Sequence, residues 1–298
     1  MKKVLLSSIL VSSFLLGNEQ NYIEIGGGII NSKDNFSTEN KKNNSTLNRA
    51  DKESIGTAYV EFFYAYDLTD SINIYTQSGY DGFKVGTNYK SFDFGLKADV
   101  SEEWENPFLI GTKRKETDIL ELGLYTGYGF SVNTNHNGAI KYEFSSVEYD
   151  KETVIDDLKR EGNRHIISFE NLFMTKTFNK DVTYLSNFSY EKYDADGKSS
   201  SYDKYDFLLG ASTSISEKAM FSLLANVGKK AFEKENIEVN KKVDVDIYGI
   251  NAALNWDRPF DYENTYISLK TGYEKEEANT DFYDKENSYG VITVGYKF

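Results

Sequence analysis

The sequence predicts an all-β fold, an antiparallel up-and-down transmembrane β-barrel with about 14 strands, or about 12 if one weak region is misread. Two observations support this fold class. Segments of alternating apolar and polar residues recur along the chain, most of them about 9 to 13 residues long, near the length that a tilted membrane strand needs. The connections between them alternate between short turns and longer polar loops, as they do at the two ends of such a barrel.

The segment Ile119 to Phe130 shows the alternation most clearly. One face is apolar and carries Leu120, Leu122, Leu124, Tyr128 and Phe130. The other face is smaller or polar and carries Glu121, Gly123, Tyr125, Gly127 and Gly129. Because successive side chains of a strand point to opposite sides of the sheet, the first set is predicted to face lipid and the second to face the lumen.

The last stretch, Ser288 to Phe298, ends the chain on an aromatic residue. Counting back in twos gives one apolar face, made of Ile292, Val294, Tyr296 and Phe298. This pattern resembles the C-terminal assembly signal of bacterial outer-membrane β-barrels, although an edge strand of a soluble β protein would share part of it. The resemblance implies outer-membrane lipid and the barrel-assembly machinery as partners, and the bacterial outer membrane as the location. Tyr22 to Ile30 is the predicted strand that closes the barrel against this segment.

Met1 to Gly17 is predicted to be a secretory signal peptide, and Asn18 to Phe298 the barrel domain. Lys2 and Lys3 precede a short apolar run that ends at Leu16, which is too short to span a membrane as a helix. The 298-residue chain has no Cys, so it has neither a disulfide framework nor a cysteine for a lipid anchor. Its 23 Tyr and 20 Phe suit strands and the aromatic girdles of membrane barrels.

The region from Asp81 to Thr112 gives the weakest pattern. We interpret Asp81 to Lys90 as a loop, although it could extend the preceding strand, and Phe92 to Asp99 as a strand. A turn near Glu103 and a short strand at Pro107 to Thr112 complete this region. The longest polar stretch, Asn31 to Glu53, has few apolar residues and is expected to be a mobile loop.

The alternation also predicts which residues line a pore. The candidates are Glu61, Asp93, Lys97, Glu121, Tyr125, Lys141, Glu143, Glu170 and Lys270. With Glu24, Tyr59, Glu191, Asp206 and Glu274 on the same face, carboxylates outnumber lysines in the predicted lumen. Negative potential in a confined channel favours cations, unless these groups pair across the lumen or lie at its rim.

Other classes of function have little support. The two histidines, His136 and His165, are predicted to lie far apart, one in a short turn and one at the edge of a long loop. Neither faces an obvious Ser nucleophile, and the sequence lacks the His or Cys cluster of a metal site. The formal net charge of −13 argues against a nucleic-acid partner. We therefore expect no enzymatic activity, no cofactor and no metal.

The sequence thus predicts a porin-like channel for passive diffusion of small hydrophilic solutes or ions, with weak cation preference. A barrel of this size lies between side-chain-filled barrels and wide porins, so side chains or a folded-in loop could occlude its lumen. The alternative hypothesis is a closed barrel that acts through its extracellular loops as an adhesin or surface-interaction protein.

Overall fold

The computed structural model describes residues 21–79 and 82–298, and within these residues the chain forms fourteen β-strands. The strands are β1 (Tyr22–Lys33), β2 (Glu53–Thr69), β3 (Ile72–Gly79), β4 (Gly82–Tyr89), β5 (Phe92–Trp104), β6 (Glu116–Asn133), β7 (His136–Tyr149), β8 (Gly162–Thr177), β9 (Lys180–Ala195), β10 (Tyr202–Ser216), β11 (Ala219–Asn236), β12 (Lys241–Asp257), β13 (Thr265–Ala278) and β14 (Lys285–Lys297). Three 3-10 turns lie in the connections, at Asp156–Leu158, Pro259–Asp261 and Asp281–Tyr283. The predicted signal peptide lies outside the described residues.

The strands form one closed antiparallel barrel in which each strand pairs with its neighbours in sequence. The barrel closes where β1 pairs with β14, from Tyr22 opposite Lys297 to Lys33 opposite Glu286. The all-β, up-and-down barrel of fourteen strands predicted from the sequence is therefore confirmed, and so is the predicted pairing of the two ends of the chain.

The connections differ between the two ends of the barrel. At one end they are mostly two-residue turns, for example 134–135 and 178–179, with the longer turn 258–264 as an exception. At the other end lie the longer connections 34–52, 105–115, 150–161, 196–201, 237–240 and 279–284. In outer-membrane barrels short turns are periplasmic and long loops extracellular, and we call the two ends accordingly.

Large apolar side chains cover the outside of the barrel. On β6, Leu122 and Leu124 are 50% and 52% exposed, whereas Glu121, which precedes Leu122, is buried. The C-terminal residues follow the same pattern, since Ile292, Val294, Tyr296 and Phe298 are all exposed on the outer face. An apolar exterior around a closed barrel is the arrangement that lipid requires. Among the described residues, no helix combines the length and the apolar character needed to cross a membrane.

The structure corrects the prediction for the weak region. Gly82–Tyr89, interpreted as a loop, is strand β4, and β5 continues through the predicted turn near Glu103 to Trp104. Pro107 to Thr112 is not a strand: Gly111 has a positive φ of 68°, and the segment folds over the extracellular mouth. The alternation of β4 is hard to see because three of its inward positions are Gly82, Gly86 and Asn88, residue types that are typical of turns.

The loop 34–52 is also better anchored than the sequence predicts. Phe36 is buried, and the amide of Asn35 donates hydrogen bonds to the carbonyl oxygens of Asn48 (2.8 Å) and Phe282 (2.9 Å). Arg49 forms an ion pair with Asp284 in the loop 279–284. The few apolar residues of the loop are enough to fix it because their partners lie in other loops.

The barrel interior as the candidate functional site

Charged side chains bridge strands across the middle of the barrel interior. Lys97 on β5 contacts Glu143 on β7 (Nζ–Oε1 2.5 Å) and Glu121 on β6 (3.5 Å). Arg164 on β8 contacts Glu121 (3.0 Å) and Glu191 on β9 (3.7 Å). Contacts between strands that are not neighbours require side chains inside the barrel. We call these five residues the central ladder.

A second group of charges fills the interior near the periplasmic end, where β1, β2, β13 and β14 meet. The ammonium group of Lys270 lies 2.8 Å from a carboxylate oxygen of Glu24 and 3.6 Å from one of Glu61. Tyr266 and Thr293 donate hydrogen bonds to Glu24 at 2.9 and 2.6 Å. Lys270, Glu24 and Glu61 are at most 5% exposed, so this group is shielded from solvent. We call these three residues the closure cluster.

Two tyrosine hydroxyls lie on the adjoining part of the wall, those of Tyr75 on β3 and Tyr125 on β6, next to Asp93 on β5. Tyr75 donates a hydrogen bond to Asp93 (2.6 Å) and lies 2.7 Å from the hydroxyl of Tyr125. Gly86 makes room for both rings, since a Cβ built there would overlap the hydroxyls of Tyr75 and Tyr125. The glycine positions that hide the alternation of β4 thus allow tyrosines to occupy this part of the interior.

The extracellular mouth is closed by an apolar cluster that combines loops and strands. Its members, which we call the mouth cluster, are Phe36, Phe108, Leu158, Phe232, Val243, Val245, Ile247, Phe282 and Tyr283. The rings of Phe36, Phe108 and Phe282 stand 5.0 to 6.0 Å apart between centroids. These three residues come from three different loops, and Leu158 comes from a fourth. In this conformation the loops fold into the barrel and constrict its mouth.

Two arginines, Arg114 and Arg160, connect the extracellular loops. Arg114 donates a hydrogen bond to the carbonyl oxygen of Asn35 (2.7 Å) and stacks 4.5 Å from the ring centre of Trp104. Burial lowers the pKa of Arg114 to about 10, against the opposing effect of the nearby Asp34 carboxylate. Arg160 joins its own loop to β5 through Glu103 (2.8 Å). These contacts hold the loops 34–52, 105–115 and 150–161 together.

The sequence also matches a known family. A family model with the description "Protein of unknown function (DUF2860)" matches residues 20–297. The chain belongs to the DUF2860 family. No curated protein matches it at a significant level.

Solved structures show what the DUF2860 barrel is similar to. An outer membrane channel from Pseudomonas putida F1 aligns with a TM-score of 0.50 and 10% identity, over 98% of this chain and 100% of that chain. A structure titled "CymD monoaromatic hydrocarbon channel" aligns with a TM-score of 0.50 and 8% identity, over 94% and 89%. At these identities the similarity shows the fold alone. The fold is that of outer-membrane β-barrels, as the resemblance predicted, and the predicted location in the bacterial outer membrane agrees with it.

In the DUF2860 chain, the nine predicted pore-lining residues lie in four separate groups of side-chain contacts. Lys97, Glu121 and Glu143 join in the central ladder, and Glu61 and Lys270 in the closure cluster. Asp93 and Tyr125 share contacts with Tyr75. Lys141 and Glu170 form a separate ion pair at 3.1 Å. Their role as pore-lining residues remains a prediction.

Sequence reasoning missed three basic residues of the DUF2860 interior. They are Arg164 on β8, Lys204 on β10 and Lys230 on β11, none of which is among the predicted lumen residues. Lys230 contacts Glu276 on β13 at 2.7 Å, and Lys204 lies on the same face of β10 as Asp206. The period-two pattern, continued to both ends of each strand, would have found Arg164 and Lys230.

The two histidines of the DUF2860 chain lie on strands of the barrel, His136 on β7 and His165 on β8. His136 lies 3.3 Å from the amide oxygen of Asn171, and His165 lies 2.9 Å from the hydroxyl of Tyr142. Within residues 21–79 and 82–298, no three His, Cys, Asp or Glu side chains form a group that could hold a metal ion.

Proposed function

We propose that this protein is an outer-membrane channel for passive diffusion of small hydrophilic solutes or ions, and that its extracellular loops gate the lumen. The observation that supports the proposal best is the polar interior. The central ladder places five charged groups on the inner wall of a fourteen-stranded barrel. A polar, charged inner wall is what a water-filled path needs.

The mouth cluster supports the gating part of the proposal. Phe36, Phe108 and Phe282 meet over the lumen, but each is carried by a loop and not by the barrel wall. Loops open at lower free energy than the strands beneath them, so the mouth can open without unfolding the barrel. The two aligned structures are both channels, which agrees with the proposal.

We also propose a weak cation preference. Carboxylates outnumber basic groups among the candidates for the inner wall, and negative charge in a confined lumen attracts cations. The preference is weak because Arg164 and Lys230 return positive charge to the same wall.

The alternative, a closed barrel that acts as an adhesin through its loops, is less well supported. Adhesion requires side chains that project from the loops. Four loops instead direct a large apolar side chain into the mouth cluster, namely Phe36, Phe108, Leu158 and Phe282, and Phe282 is fully buried there.

Conductance in planar lipid bilayers tests the proposal. The parent protein should give rare or small openings, because the mouth is constricted. Phe282→Ala removes a ring from the centre of the mouth cluster and should raise the open probability or the conductance at least about tenfold, since a buried Phe stabilises packing by roughly 3–5 kcal/mol. Phe178→Ala is the matched control, since Phe178 lies in a periplasmic turn and is 97% exposed.

Correct folding is checked by heat-modifiable migration in gels before each measurement. If neither the parent protein nor the Phe282→Ala variant conducts when folded, the channel proposal is wrong. If both conduct equally, the mouth cluster is not the gate.

A further inference from the structure

A polar pocket lies outside the barrel interior, in the extracellular loop 34–52. It has a volume of about 500 Å³, within the range of small-molecule sites. Five of its lining residues are asparagines, namely Asn35, Asn40, Asn43, Asn44 and Asn48. Each amide side chain offers both donors and an acceptor, so the lining can match a ligand whose groups also donate and accept.

The pocket is held in shape by the neighbouring loop 105–115. Asn44 and Ile110 form an isolated parallel β-bridge, and the backbone amide of Gly111 donates a hydrogen bond to the carbonyl oxygen of Asn44 (2.8 Å). The backbone amide of Arg114 likewise donates to the carbonyl oxygen of Lys42 at 2.8 Å. A pocket fixed by a second loop loses less conformational entropy when a ligand binds.

The fold does not use all of the hydrogen-bonding groups around the pocket. The Nδ2 atoms of Asn40 and Asn44 are buried, and neither has a hydrogen-bond partner within the described part of the chain. Asn40 as a whole is only 6% exposed. Buried donors are normally paired, so these two amides gain partners when their side chains turn toward a ligand oxygen in the adjoining pocket.

The charges of the pocket are used within the protein. Lys41 is paired with Asp51, and Arg49 is paired with Asp284. An anionic ligand would have to compete with these carboxylates. The groups that remain are neutral amides and the hydroxyls of Ser45 and Thr46, which favour a neutral ligand.

From this lining we infer that the pocket binds a neutral polyhydroxylated ligand, about one or two rings of a saccharide in size. The hydroxyls of such a ligand both donate and accept hydrogen bonds, as the amides do. Among the described residues that line the pocket none is aromatic, so no ring stacks on the sugar. Recognition by hydrogen bonds alone gives an affinity in the millimolar range, on the order of 1 mM. The inference does not depend on the channel proposal.

The test is a saturation-transfer NMR titration of the full-length folded protein in lauryldimethylamine oxide micelles, a detergent without sugar. The probes are glucose, maltose and N-acetylglucosamine, with sodium sulfate as a competing anion. At least one sugar should bind at about 1 mM, and sulfate should not displace it. Asn40→Ala combined with Asn44→Ala should raise the Kd at least about tenfold, because two hydrogen bonds are lost.

Two further variants make the titration decisive. Asn135→Ala changes an exposed asparagine at the periplasmic end and should leave the Kd unchanged. Thr46→Trp places a bulky ring at an exposed lining position and should block binding even if the double variant fails to fold. The inference is overturned if no sugar binds the parent protein, if Thr46→Trp binds as the parent does, or if sulfate displaces the sugar.

Discussion

The ammonium group of Lys270 lies between two buried carboxylates, those of Glu24 and Glu61. It also donates a hydrogen bond to the hydroxyl of Tyr59 at 2.7 Å, and its Nζ atom lies 4.5 Å from the centre of that ring. A buried ion pair contributes little compared with apolar packing, but removing one partner leaves the other charge uncompensated. In the closure cluster, loss of the lysine would leave two such charges.

Lys270→Met should therefore destabilise the folded barrel by about 3–5 kcal/mol, measured as the free energy of unfolding in a urea titration of the refolded protein. Lys141→Met is the matched control. Lys141 pairs with Glu170, but its side chain is 47% exposed, so the change should be at most about 1 kcal/mol. Equal losses in the two variants would contradict the burial-dependent role of Lys270.

The alternation of residues along each strand predicted that Glu61 and Lys270 face inward, but it could not predict that they meet. Lys270 and its hydrogen-bond partner Tyr59 are separated by 211 positions in the sequence. Their contact depends on barrel closure and on the register of four strands. A period-two pattern gives the face of a residue and carries no information about the residue on a distant strand.

At the scale of elements, the seam between β1 and β14 requires glycine. A Cβ built at Gly26 would overlap the carbonyl oxygen of Ile292, and one at Gly28 would overlap that of Gly290. These neighbours are backbone atoms, so no side-chain rotation can relieve the overlap. The two strands can approach this closely because β1 has no side chain at Gly26 and Gly28.

Gly26→Ala should lower the stability of the barrel by about 1–3 kcal/mol, because the extra methyl group forces the seam apart. The midpoint of urea unfolding measures this, together with the fraction of chains that fold into heat-modifiable barrels. At Gly56 on β2 a Cβ would meet nothing within 4 Å, so Gly56→Ala should be neutral or slightly stabilising. If Gly26→Ala folds as well as Gly56→Ala, the seam is not closely packed.

Whether a strand can be predicted from the sequence depends on which side chains it carries. Long strands such as β6 are unmistakable because large apolar residues alternate with small or charged ones. The short strand β4 was missed because glycine and asparagine occupy its inner face, leaving space for Tyr75 and Tyr125. The cause lies in side chains of β3 and β6, which no local pattern in β4 can reveal. The mouth cluster was missed for the same reason, since its members are single residues from separate loops.

At the scale of the whole molecule, ion selectivity depends on the balance of charges inside the barrel. Glu121 contacts both basic groups of the central ladder, Lys97 at 3.5 Å and Arg164 at 3.0 Å. Glu143 is the second partner of Lys97. Neutralising the two glutamates removes negative charge and leaves Lys97 without its two carboxylate partners, whereas Arg164 keeps Glu191.

Glu121→Gln combined with Glu143→Gln should therefore shift selectivity toward anions, with the cation-to-anion permeability ratio falling at least about twofold. The reversal potential under a salt gradient measures this ratio. Glu148→Gln, an exposed position on the same strand as Glu143, is the matched control and should leave the reversal potential unchanged. An unchanged potential in the double variant would show that the central ladder does not line the ion path.

The pairing of Tyr22 with Lys297 has a consequence for the order of folding. It is the contact that spans almost the entire described chain, so forming it carries the largest loop-closure entropy of any pairing in the molecule. Until it forms, the sheet is an open ribbon whose first and last strands both expose unpaired backbone groups, and such edges invite pairing with other chains. Hairpins can form locally and early, but protection from aggregation comes only with the final pairing, which makes the whole barrel a single cooperative unit.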